Sequence, residues 1–258
     1  MLYVSIGIGV LFLLWVALNL KTSRSDGTLL RNVHPYRRLM SHIMLTRNES
    51  VVYFDDYVVA DDLLAYLDKA KERFGADISH CLVGACAVGL AEAPTMNQFV
   101  AGRRLYQRRQ REVSFSMKRQ AMNKKAKIAV VKKAIRPGLT FREFCEEVNA
   151  EISVQRTDKK TYADKEYSLF TMVPRPALNW AVTLFRWLDY HNILPASFIE
   201  SDGMYTSIFV ANLGSLKMRA GFHHLYEWGN CPVFMMVGRI EEKPWVVDGE
   251  VVPRKILH

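Results

Sequence analysis

Seven histidines, four cysteines and one dense run of cations are the side chains of this 258-residue sequence best suited to chemistry. His223 and His224 form an adjacent pair in a loop between two expected strands. A metal site there would need further ligands, and only Glu227 is close, so no metal is expected. The plainer alternative is a structural pair with one ring hydrogen-bonded to backbone. Nearby Tyr226 and Trp228 suit packing or an interface. Cys81, Cys86, Cys145 and Cys231 are too few and too scattered for a disulfide scaffold. His80-Cys81 and Cys86 lie inside an apolar run instead of a zinc knuckle, so buried reduced thiols are expected.

Between Arg103 and Arg136 stand thirteen lysines and arginines against one acid, Glu112, while the whole chain carries a net +9. One segment therefore makes the protein basic. Arg103, Arg104, Lys118 and Arg119 belong to it, with Arg108, Arg109, Lys132 and Lys133. It reads as a solvated face with acidic partners elsewhere, or as a surface for anionic lipid or an acidic protein. Nucleic acid is the weakest of these readings, because no nucleic-acid fold is recognisable and few aromatics stand among the charges.

The elements that must position these groups begin with Met1–Leu20, twenty residues without an ionisable side chain. At about 1.5 Å per residue they span roughly 30 Å, the hydrocarbon thickness of a bilayer. The stretch lacks the basic start and small-x-small cleavage site of a signal peptide, so residues 1–21 are expected to be a transmembrane anchor. Lys21, Arg24, Arg31, Arg37 and Arg38 follow it and no cation precedes it, which places the bulk of the chain on the cytoplasmic side. Residues 22–32 read as a short linker, and 33–258 as one domain. Half the sequence is hydrophobic and 24% is charged, enough to bury a core and against wholesale disorder.

Within that domain, Arg37–Met44 reads as a helix, and Val51–Phe54 with Tyr57–Val59 as an interrupted strand. Asp61 is expected to cap a helix with Leu63, Leu64, Leu67 and Ala70 on its apolar face. A more buried helix, Ile78–Ala93, stops before Pro94 and carries small residues suited to close packing. Residues 113–117 alternate as a half-buried strand. Thr140 and Glu143 form a capping box for a helix striped with Phe141, Phe144, Cys145, Val148 and Ile152. Pro176 suits the first turn of another helix. Tyr205–Leu213 and Pro232–Ile240 read as strands, and Asp248-Gly249 joins a final hairpin.

Several stretches, in order, carry a resemblance: Ala93–Phe99 followed by Gly102 and Tyr106, then Thr206–Gly214, then His223–Gly229, then Pro232–Gly238 with the terminal hairpin. Over roughly residues 33–258 the sequence resembles the catalytic domain of the acyltransferases of 2-oxo acid dehydrogenase complexes, whose fold chloramphenicol acetyltransferase shares. The resemblance implies an α/β (α+β) two-layer sandwich of mixed sheet and helices, coenzyme A as thioester substrate, and a homotrimer. It places Asn97, Ala211, Asn212 and Gly214 at motif positions and makes Arg103, Arg104, Lys118 and Arg119 weak candidates for the phosphates of coenzyme A.

In that family a histidine in His-x-x-x-Asp-Gly takes the thiol proton, and a hydroxyl beside the Asn-Leu-Gly turn donates to the oxyanion. Here no histidine is followed by Asp-Gly, and the hydroxyl position is Ala211. The residues run out at His258 about where the family's active-site strand begins, so the strand either follows or is lacking. Ser207 shares a strand face with Ala211 but lies about 13 Å along it; His223 and His224 are the remaining substitutes. Two expectations result. One is a membrane-anchored enzyme transferring acyl groups to a thiol or hydroxyl. The other is a catalytically degenerate trimeric scaffold at the cytoplasmic membrane face.

Overall fold

The computed structural model describes residues 2–118, 128–155 and 173–258. Its first element is α1 (Leu2–Leu20), which meets almost nothing: across Tyr3–Leu20 the mean hydropathy is 2.1 and no residue is buried. Leu, Ile and Val on every side leave no polar face to turn outward. Among the described residues it is the one unbroken helix long and apolar enough to cross a membrane.

The central element is a four-stranded mixed sheet in the order β6-β5-β7-β8, built from β5 (Arg111–Lys118), β6 (Ile128–Ile135), β7 (Ile208–Asn212) and β8 (Val233–Val237). β5 pairs antiparallel with β6, whereas β5–β7 and β7–β8 are parallel. Parallel neighbours need long crossovers: β5 reaches β7 through β6 and later helices, whereas β7 reaches β8 through residues 213–232, whose one helical piece is a 3-10 turn. Helices α3 (Asp61–Phe74), α4 (Ile78–Glu92) and α5 (Phe141–Gln155) cover one face. Their Leu67, Val83, Leu90, Phe144 and Val148 close a core with Val113, Phe115, Val131 and Val210 of the sheet. This is the expected two-layer packing of mixed class. Gly84 lets α4 approach closely, since a Cβ there would stand 3.3 Å from the Phe141 ring.

Two smaller antiparallel sheets flank this core. β1 (Gly27–Leu29), β4 (Arg104–Arg108) and β3 (Gln98–Ala101) form one; β2 (Val58–Val59), β10 (Glu250–Leu257) and β9 (Glu241–Val247) form the other. Asp248 and Gly249, with φ of 52° and 87°, make the two-residue turn between β9 and β10, and Val247 faces Glu250 as the hairpin signal requires. Three further helices, α2 (Pro35–Ile43), α6 (Arg175–Tyr190) and α7 (Ala196–Ser201), complete the described chain.

Several boundaries differ from expectation. Residues 22–32 are not a free linker: they hold β1, and Arg24 within them is buried. Residues 51–57 form no strand, because only Val58 and Val59 find a partner, on β10. Asp61 is not the cap of α3. Ala60 occupies that place, its N–H held by the Lys255 carbonyl, and Asp61 and Asp62 act on the helix dipole from the first turn. β7 starts at Ile208, later than expected; before it, the Ser207 N–H and the Thr206 hydroxyl both donate to the Glu112 carbonyl, and the Ser207 hydroxyl accepts the Glu112 N–H. β8 spans Val233–Val237 only, since Gly238 turns its N–H to the His258 carbonyl.

Candidate functional site

At the end of β7 the chain enters a 3-10 turn, Leu213–Leu216, which Asn212 organises. Its Oδ1 accepts the Ser215 N–H at 3.2 Å, and the Ser215 hydroxyl donates to the Asn212 carbonyl at 2.8 Å. Asn212 Nδ2 donates to Ser79 Oγ at 3.0 Å, tying the turn to the start of α4. Gly214 admits no side chain, because a Cβ would fall 2.6 Å from the Gly238 carbonyl oxygen. Ala211 is nearly buried and presents a methyl group just before the turn.

Asp77 caps α4 beside this turn, and His80 sits at the third helical position. Asp77 Oδ1 accepts the His80 N–H at 3.1 Å and lies 2.8 Å from His80 Nδ1. Burial works to raise the Asp77 pKa, but the His80 ring and the His80 and Ser79 backbone N–H groups hold it below the ordinary carboxylate value. The His80 ring and Asn212 line a common cavity of about 170 Å³ under the turn. Nothing in the reading of the sequence singled out this pair; the available signal was Asp three residues before His at a helix start.

The other candidates lie elsewhere. Asn97 follows the far end of α4, a helix about 22 Å long, where its Nδ2 donates to the Gln110 carbonyl. The Ser207 hydroxyl accepts the Glu112 N–H at 3.0 Å and is fully buried, so it braces β7 against β5. His223 Nδ1 donates to the His224 carbonyl and His224 Nδ1 to the Leu225 carbonyl, at 2.6 and 2.9 Å. Their rings stack on each other, and His223 also stacks on Phe234 at 4.2 Å. Among the described residues no three His, Cys, Asp or Glu side chains gather to hold a metal ion.

Arg103 and Arg104 serve helix ends. Arg103 Nη1 donates to the Ser41, Met44 and Leu45 carbonyls at the close of α2, and Arg104 donates to the Asn19 and Lys21 carbonyls at the close of α1. Such cations satisfy orphan carbonyls and oppose the negative helix end. The side chain of Lys118 and all of Arg119 lie outside the described residues. Elsewhere in the basic segment, Lys132 pairs with Glu112, and Lys133 and Arg136 both pair with Glu147.

Arg108 belongs to a buried network that sequence reading missed. Arg24 Nε bonds Asp26 at 2.9 Å and its Nη1 bonds Asp189 at 2.9 Å. Arg108 reaches Asn230 Oδ1 at 2.6 Å, and Asn230 Nδ2 returns to Asp26. Both guanidinium groups are 1% exposed. Burial works to raise the Asp26 pKa, yet the bond to Arg24 and the charges of Arg24 and Arg108 hold it below its ordinary value. Burial pushes the thiols of Cys81, Cys86 and Cys231 up to about 11 and that of Cys145 to about 12. They stay protonated at neutral pH and carry no nucleophile.

No family model matches the chain, and no curated protein matches it. Solved structures do. A probable dihydrolipoamide acetyltransferase from Listeria monocytogenes 4b F2365 superposes with a TM-score of 0.54 at 14% identity, covering 89% of this chain and 82% of that one. A chloramphenicol acetyltransferase superposes with a TM-score of 0.51 at 10% identity, covering 90% of this chain and 88% of that one. At such identities the likeness is one of fold. The mixed sheet, its covering helices and the terminal hairpin thus make this chain a chloramphenicol acetyltransferase-like fold carrying an apolar N-terminal helix.

Proposed function

We propose that the protein is a membrane-anchored acyltransferase, passing an acyl group between coenzyme A and a thiol or hydroxyl acceptor, and that three copies assemble around the site. The observation that carries this reading is the Asn212–Gly214 turn. It keeps the family's Asn-Leu-Gly, is held by both Ser215 and α4, and closes so tightly on Gly238 that only glycine fits at 214. A turn fixed to that degree suits a preorganised site more than a solvent loop needs. The solved acetyltransferases support the reading through their fold and printed names.

The membrane part rests on α1, whose side chains from Tyr3 to Trp15 are all exposed, with no protein to cover them. Arg24 is withdrawn from the flanking charges by its burial. Lys21, Arg31, Arg37 and Arg38 remain after α1 and favour a cytoplasmic body. A groove of about 1210 Å³ beside α2 and α6 is lined by Arg31, Arg37, Arg38 and Arg186, which suits an anionic lipid headgroup at the foot of the anchor.

A second reading, the inactive trimeric scaffold, is favoured by one observation: the place of the oxyanion hydroxyl is the methyl of Ala211, and loss of such a donor typically lowers rate by about 10²–10³. Formation of the acetylated small thiol and free coenzyme A from acetyl-coenzyme A by the full chain in detergent, resolved by chromatography, decides between them. Formation above the uncatalysed rate supports the enzyme; none, from a chain sedimenting as a trimer, supports the scaffold. Recovery in the soluble fraction after cell breakage would remove the anchor from either.

A further inference from the structure

Helix α2 is seated the wrong way round for a water-soluble domain. Arg37 and Ser41, four residues apart and so on one face, bond the domain. Arg37 Nη2 donates to Gln98 Oε1 at 3.1 Å, and the Ser41 hydroxyl donates to the Arg103 carbonyl at 2.9 Å. Tyr36, Leu39 and Ile43, at helical spacings of three and four, share another face, and each is more than half exposed. No residue of α2 is buried. A helix packed on a soluble core turns its apolar stripe inward, so this stripe needs a cover that the described residues do not supply.

The turn between β3 and β4 fixes where that cover must be. Arg104 donates to the last carbonyls of α1, and Arg103, the adjacent residue, to those of α2. Their Cα atoms are about 3.8 Å apart, so α2 ends beside the foot of α1. Gly102 seats the turn against the end of α6, with a φ of 53° and no room for a Cβ beside the Tyr190 carbonyl. Asn19 and Thr22 at the foot of α1 line the same groove as Tyr36 and Met40 of α2. Seven arginines line that groove against two carboxylates, Asp189 and Glu227, a charge that complements an anionic leaflet.

We propose that α2 lies in the headgroup layer of an anionic bilayer. Tyr36, Leu39 and Ile43 enter it by about 5–10 Å, and the long side chain of Arg38 reaches its phosphates. The proposal rests on the membrane part of the proposed function and not on acyl transfer. It gives the domain a second contact with the bilayer, and so one orientation on it.

The test uses the full chain in phosphatidylcholine vesicles with and without phosphatidylserine. A nitroxide is attached in turn at Ile43→Cys, at Leu11→Cys in α1 and at Val251→Cys on the β9–β10 hairpin. Its own thiols are buried or partly so, and the chain without an added cysteine gives the background. Collision with oxygen against a water-soluble nickel chelate reads depth. With phosphatidylserine present, the labels at 43 and 11 should favour oxygen and the label at 251 the chelate. Arg38→Gln should lower the ratio of lipid-facing to water-facing label at 43 about fivefold and leave that at 11 unchanged. A label at 43 open to the chelate while that at 11 lies in lipid overturns the surface helix alone. Labels at 11 and 43 both in water remove the anchor and this proposal together. Equal depth with and without phosphatidylserine overturns the choice of an anionic surface. A label at 43 shielded from both reagents, in a chain sedimenting as a trimer, gives the stripe to a second copy and overturns the proposal.

Discussion

Two polar clusters lie in different parts of the fold, one buried throughout and one with an exposed carboxylate at Asp77, and they are built on opposite plans. Around Arg24 and Arg108, cations, carboxylates and two asparagine side chains interlock, and the aromatic face of Phe99 lies 4.5 Å from the Arg108 guanidinium. At the start of α4, a single carboxylate holds a single ring and leaves its far nitrogen empty-handed. The first arrangement joins distant parts of the chain, and its Arg24 and Asn192 also line a cavity of about 240 Å³. The second stays within one turn of one helix. Dense pairing between residues remote in sequence marks a structural joint, whereas pairing three residues apart at a helix start marks a local cap.

The difference can be broken most forcefully at the joint. Arg108→Ala should lower stability by about 3–5 kcal/mol, because Asp26 and Glu112 lose a buried counter-charge; a urea denaturation midpoint indistinguishable from wild type would show that the network holds nothing. The same joint should fail in acid. The folded pKa of Asp26 is depressed, so its contribution is present above the unfolded carboxylate pKa and is lost as pH falls through the lower folded value. Denaturation midpoints measured downward from pH 5 should therefore drop less steeply in Asp26→Asn than in wild type.

Next in size comes Gly214→Ala, expected to lose about 1–3 kcal/mol as the added methyl meets the Gly238 carbonyl; unchanged thermal stability would mean the turn is looser than its contacts imply. Removing the α4 cap with Asp77→Ala should cost about 1 kcal/mol, and His80→Gln should cost less, since glutamine is a natural partner in the same box. If His80→Gln instead unfolded the protein, the ring would be a joint after all, and the contrast between the two clusters would collapse.

What the sequence disclosed follows the range of each signal. The Thr140–Glu143 box, the Asp248-Gly249 hairpin and the end of α4 before Pro94 are decided within a few residues, and they stand where the pattern put them. The ordered motifs of the resemblance led to the correct fold. The buried network was illegible because its partners are remote: Asp26 and Asn230 are 204 positions apart. A polar stretch holding Arg24 and Asp26 therefore looked like linker. One clue was present, since Tyr106 and Arg108 share a strand face and both are buried. His80 was illegible for another reason: beside Cys81 it reads first as half of a metal knuckle, and histidine is not the usual third residue of a capping box, so the pairing with Asp77 gives no sequence signal of its own.

The clasp of Arg104 on the final carbonyls of α1 has a mechanical consequence. Instead of hanging from a loose tether, the oily rod is bolted to a strand of the flanking sheet. Tilting the rod against the domain must therefore either break these bonds or carry β4 with it, the strand on which Arg108 joins Asp26 and Asn230.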